Sequence, residues 1–141
     1  MSRFMSLLGS LSGCAMLALR LMMASIVIVS GYYKFFVFGM EKLTANFQGY
    51  GMPVPQITGP FIGVLELAGG ILLALGWFTR YLGVLYFFEF IVAWWVKFSI
   101  IPAPAGGYAG ARLDAMLIVT ALVFATQGAG RFSVDAKLGR G

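Results

Sequence analysis

Histidine is absent from the chain and cysteine occurs once, at Cys14. The first absence excludes a histidine-ligated haem, the common zinc triads and a Ser-His-Asp relay. The second excludes an internal disulfide and any two-cysteine redox cycle. Charge is scarce as well: 11% of the 141 residues are charged against 60% hydrophobic, and the mean hydropathy is +0.91. A soluble globule of 15.2 kDa has a high ratio of surface to volume and needs more polar surface than this. The composition therefore places the chain in a bilayer. The net charge of +5 does not point to nucleic acid, because the basic residues are few, scattered and partly inside apolar segments.

Long uninterrupted apolar runs are missing too, since Arg20, Lys34, Glu66, Glu89 and Lys97 break them. Averaging hydropathy over a window of about 19 residues recovers four spans, at residues 13–37, 58–78, 81–101 and 112–129. Residues 39–57 form the first loop, in which Met40, Leu43, Phe47 and Tyr50 recur at helical spacing opposite Glu41, Lys42 and Asn46. That pattern predicts a short interfacial helix over residues 40–50. Spans two and three are joined through Thr79 and Arg80 and are expected to be antiparallel neighbours. Pro102, Pro104, Gly106 and Gly110 predict a loop before span four, and residues 130–141 form a polar, basic tail. The expected architecture is all-α: one domain, an integral membrane four-helix bundle with a short interfacial helix in its first loop.

Leu11-Ser12-Gly13-Cys14 has the form of a bacterial lipoprotein cleavage box, but it also reads as the start of an ordinary helix, and the second reading is preferred. Cys14 is then a packing residue.

Every span carries one stripe that joins small residues to ionisable ones at helical spacing. The stripes are Arg20, Ala24, Val27, Gly31 and Lys34; Gly59, Gly63, Glu66, Gly70 and Ala74; Tyr86, Glu89, Ala93 and Lys97; and Asp114, Ile118, Ala121, Ala125 and Gly128. Small residues favour close helix contact and charges avoid lipid, so two independent preferences select the same face of each helix. Depth along the helices suggests an intramembrane ion pair of Arg20 with Glu89. It also suggests an outer polar cluster of Lys34, Glu66, Lys97, Arg112 and Asp114. Arg112 and Asp114 are two apart and do not face one another on a helix. These charges either fasten the bundle or line a pocket for a polar headgroup such as a quinone ring or a small oxyanion. Tyr32, Tyr33, Trp94 and Trp95 either wall that pocket or form an interfacial aromatic belt. No catalytic residue and no metal site is assigned.

The assembled pieces resemble the DoxX family of small four-helix membrane proteins. The resemblance rests on Arg20, Gly31 and Lys34, on Gly51-Met52-Pro53, and on Glu66 with Gly69-Gly70. It extends through Gly76-Trp77-Phe78-Thr79-Arg80 to the tail motif Gly128-Ala129-Gly130-Arg131-Phe132-Ser133-Val134-Asp135, so it spans nearly the whole chain. It implies a bacterial or archaeal membrane protein whose relatives include small subunits of a thiosulfate:quinone oxidoreductase and proteins of oxidative-stress or quinone-related systems. The histidine that many relatives carry after the third span is replaced here by Lys97 and Phe98.

Two function classes follow. The first is a non-catalytic accessory or scaffold subunit of a larger membrane complex, redox or photosynthetic; the second is a quinone-linked oxidoreductase subunit. Membrane lipids and other membrane subunits are the expected partners, nucleic acid is not, and quinone is the only cofactor that enters the expectation. Arg3, Arg80, Arg131, Lys137 and Arg140 fall on one side, against Lys42 with the borderline Lys34, Lys97 and Arg112 on the other. The positive-inside rule then puts both termini in the cytoplasm, with the chain multi-pass in the bacterial inner membrane. The glycine-rich tail and the N-terminus are expected to be held there by another subunit.

Overall fold

The computed structural model of the chain describes residues 1–139 and, among them, no strand. Arg140, which enters the charge asymmetry, and Gly141, which ends the expected tail, lie outside the described residues. The element order is α1 (Ser2–Ser10), α2 (Ser12–Tyr32), a π-helical stretch (Tyr33–Phe38), α3 (Gly39–Gly49), α4 (Pro55–Leu75), α5 (Thr79–Ser99), α6 (Gly107–Gln127) and α7 (Val134–Lys137). Four helical stretches are long and apolar enough to cross a membrane: the continuous Ser2–Gly49, then Pro55–Leu75, Thr79–Ser99 and Gly107–Gln127. At about 1.5 Å per residue, each 21-residue helix matches a hydrocarbon core of about 30 Å. The protein is a multi-pass membrane four-helix bundle in contact with lipid.

The sequence sets these boundaries locally. Pro55 opens α4 at a position where a missing N–H costs nothing. Gly76 closes it in the left-handed region (φ 72°), with the N–H groups of Gly76 and Trp77 returning to Leu73 and Leu72 O. Helix α6 begins at Gly107, inside the segment expected as loop, so the connection from α5 is shorter than its breakers suggest. A side chain at Gly106 would collide with the carbonyls of Ile101 and Lys97, and glycine lets the chain turn there. The expected interfacial helix is α3, with Leu43 buried on its apolar side.

All four long helices supply the core: Met23 and Val27 from α2, Leu65 and Leu73 from α4, Tyr86 and Phe90 from α5, and Leu117 and Phe124 from α6. The closest helix pairs are α2 with α4 and α5 with α6. Glycine permits both approaches. A Cβ at Gly31 would lie 2.7 Å from Leu67 N, and one at Gly83 would lie 2.8 Å from Ala121 O. Consecutive α4 and α5 are spaced more widely by side chains, with the Tyr86 hydroxyl donating to Leu65 O at 2.7 Å.

The stripes face inward on every helix. Arg20, Ala24, Val27, Gly31, Gly59, Gly63, Glu66, Gly70, Tyr86, Glu89, Asp114, Ala121 and Gly128 are buried, and the remaining stripe residues are half-buried. Tyr32, Tyr33, Trp94 and Trp95 face outward, as does Cys14. Phe4, Leu7 and Leu8 of α1, with Leu11 just after it, are exposed.

Candidate functional site

Two polar assemblies lie at different depths, and the near one sits at the end of the bundle that carries both termini. Arg20 is 2% exposed. Its Nη1 donates to Ala129 O at 2.6 Å, and its Nη2 donates to Phe132 O at 2.7 Å and to Ala74 O at 3.4 Å. These carbonyls belong to the tail and to the end of α4, so one guanidinium closes the bundle from below. Asp135, an electrostatic neighbour of Arg20, accepts from Phe78 N and Thr79 N at 3.0 Å each and caps α5. Phe78 is a non-glycine residue in the left-handed region (φ 57°), a strained conformation that the carboxylate holds in place. Ser133 Oγ accepts from Ala136 N and caps α7. Arg131 Nη2 donates to Ser10 O at 2.6 Å. The tail expected to be held by another subunit is therefore fastened by this chain itself.

The expected pair of Arg20 with Glu89 is not formed. Helical side chains lean toward their helix N-terminus, which for α2 is the near end, so Arg20 reaches down to the tail carbonyls and away from the middle of the bundle.

Glu89 instead joins the second assembly, together with four of the five residues expected as an outer cluster. Lys34 Nζ, in the π-helical stretch, forms an ion pair with Glu66 Oε2 of α4 and donates to Ser30 Oγ at 3.1 Å. Lys97 Nζ of α5 lies 2.8 Å from Asp114 Oδ2 of α6. That contact neutralises charge without aligned hydrogen-bond geometry. Glu89 has Glu66, Lys34 and Asp114 as electrostatic neighbours. Glu66 and Asp114 are 3% exposed and Glu89 9%. Glu66 and Glu89 each stand near the middle of a 21-residue helix, about 15 Å from its ends and hence close to the bilayer midplane. Arg112 is exposed on the opposite side of α6 from Asp114 and does not join them.

Two shallow surface grooves, one lined by Ser2, Arg3, Ser6 and Leu7 and the other running between α3 and the start of α4, share no residue with this assembly. Among the described residues, no three cysteine, aspartate or glutamate side chains converge as metal ligands.

Sequence reasoning missed Asp135 and Thr79 as members of the near assembly. The signal was present: Asp135 is the lone acid in a basic tail, and both residues lie in motifs that carry the family resemblance. Nothing in the sequence marks the π-helical stretch, which sets the direction of Lys34.

No curated protein and no solved structure matches the chain. The DoxX family model matches residues 15–98, more than half of the chain and the stretch that contributes Arg20, Lys34, Glu66, Glu89 and Lys97. With that match, the four spans and the inward stripes together, the chain belongs to the DoxX family.

Proposed function

We propose that this protein is a non-catalytic accessory or scaffold subunit of a larger bacterial membrane complex of the redox or photosynthetic class. It would lie in the inner membrane with both termini in the cytoplasm. The carrying observation is that both ammonium groups inside the bundle are already committed, Lys34 to Glu66 and Ser30, and Lys97 to Asp114. Intramembrane charges that satisfy one another hold helices together and leave neither ammonium as an unpaired charge for a substrate. The outer surface is the part left available. Phe61, Val64, Ile71, Tyr81, Phe88 and Met116 are more than half exposed and suit lipid or the helix of a neighbouring subunit. Extraction in mild detergent followed by native mass measurement tests the proposal, and the expected result is this chain together with different subunits.

A quinone-linked oxidoreductase subunit, similar to those of thiosulfate:quinone oxidoreductase, is the second reading. It is favoured by Lys97, whose side chain is 37% exposed at the far end of α5, where a headgroup could approach. A quinone carbonyl needs a hydrogen-bond donor, and the Lys97 ammonium has three. Drawing it toward a headgroup would weaken its hold on the buried Asp114, which makes this the weaker reading.

A further inference from the structure

The bundle interior holds three carboxyls, Glu66, Glu89 and Asp114, and two ammonium groups, Lys34 and Lys97. The other cations do not contribute: Arg20 is engaged with the tail beside Asp135, and Arg112 faces outward. Interior charge therefore fails to balance by one carboxyl. A bare carboxylate near the midplane of a bilayer is costly enough that a compensating cation must accompany it.

Geometry identifies which carboxyl is in surplus. Glu66 receives Lys34, and Asp114 receives Lys97. Glu89 Oε2 is buried and no nitrogen or hydroxyl donates to it. The groups facing Glu89 are Lys34 from the π-helical stretch, Glu66 from α4, Asp114 from α6 and Tyr86 on its own helix. The Tyr86 hydroxyl is already donated to Leu65 O. The remaining neighbour is the Glu66 carboxyl. Ionised carboxylates only accept, so two carboxyls can bond only if one of them carries a proton.

We propose that Glu89 and Glu66 form a binding site for one exchangeable proton at the middle of the membrane, with Glu89 carrying it and Glu66 accepting its hydrogen bond. The proton count of the site equals its carboxyls less its ammonium groups. The proposal is independent of whether the protein works as a scaffold. A partner reaction that takes up or releases a proton within the membrane would find an acid already in place.

Infrared spectroscopy of the full chain in detergent reads that count through the carbonyl stretch of a protonated carboxylic acid, identified by its shift in deuterium oxide. Wild type is expected to show the band. Glu89→Gln and Glu66→Gln are each expected to lose it, because either leaves two carboxyls for two ammonium groups. Lys34→Met is expected to raise it about twofold, since three carboxyls then face one ammonium. The wild-type spectrum stands alone if a variant fails to fold: no deuterium-sensitive band overturns the proposal. If sodium ions then raise the unfolding temperature, the compensating charge is a metal cation. A band of unchanged intensity in Glu89→Gln places the proton elsewhere and overturns the proposal equally.

Discussion

Lys34 and Glu66, 32 residues apart in sequence, form an ion pair between the end of the first span and the middle of the second. Glu66 is 3% exposed, so the pair is anchored on a buried charge, while a fifth of the Lys34 side chain remains accessible. Removing only the lysine should destabilise the protein by about 3 kcal/mol, because the carboxyl is left buried without its partner. Adding Glu66→Gln to Lys34→Met should recover part of that loss. Reversible unfolding in detergent measures both.

Arg20 and Glu89 belong to different assemblies, and their substitutions should not communicate. Arg20→Leu and Glu89→Gln are expected to be additive within about 0.5 kcal/mol, whereas Lys34→Met and Glu66→Gln should show a coupling of about 1 kcal/mol or more. Two double-mutant cycles run under the same conditions decide this. A large Arg20–Glu89 coupling would show that the two meet after all.

The stripes were legible in the sequence because two preferences coincide on one face. Gly31, Gly63 and Gly70 admit a neighbouring backbone or side chain where Arg20, Lys34, Glu66, Glu89 and Asp114 avoid lipid. Partner choice was less legible. Depth along a helix says how far a charge lies from the membrane edge, yet not what stands across from it. The acceptors of Arg20 are the backbone carbonyls of Ala74, Ala129 and Phe132, which no side-chain pattern reveals. The direction of Lys34 depends on a π-helical turn with no residue preference to announce it.

Arg20→Leu should release the tail. Each hydrogen bond from a charged donor contributes about 1.5–3 kcal/mol, and the two short ones reach Ala129 and Phe132. Residues 129–137 should become cleavable by protease in folded protein whose α2, α4, α5 and α6 remain protected. Protection of the tail in this variant would contradict the role given to Arg20.

Asp135→Ala removes both acceptors at the start of α5, one of them the acceptor for Phe78 N in its left-handed conformation. A loss of about 1–2 kcal/mol is expected, toward the upper end of the range for a helix cap. Hydrogen exchange at the amides of Phe78 and Thr79 checks the assignment locally, and both should exchange faster in the variant.

Gly83→Val tests the closest approach of α5 to α6, where a Cβ would lie 2.8 Å from Ala121 O. Because backbone cannot yield as a side-chain end does, the cost should reach at least the 1–3 kcal/mol typical of overpacking. A valine at the exposed Gly9, which meets no neighbour, serves as the control and should change stability by less than about 0.5 kcal/mol.

The central claim is that the polar interior is committed to holding the bundle and that the protein serves a larger assembly. Native mass measurement after gentle extraction from its own membrane tests it most directly. The account predicts a particle that contains different membrane subunits, without quinone in this bundle. A lone monomer or simple homodimer with bound quinone and turnover on a sulfur compound would contradict it.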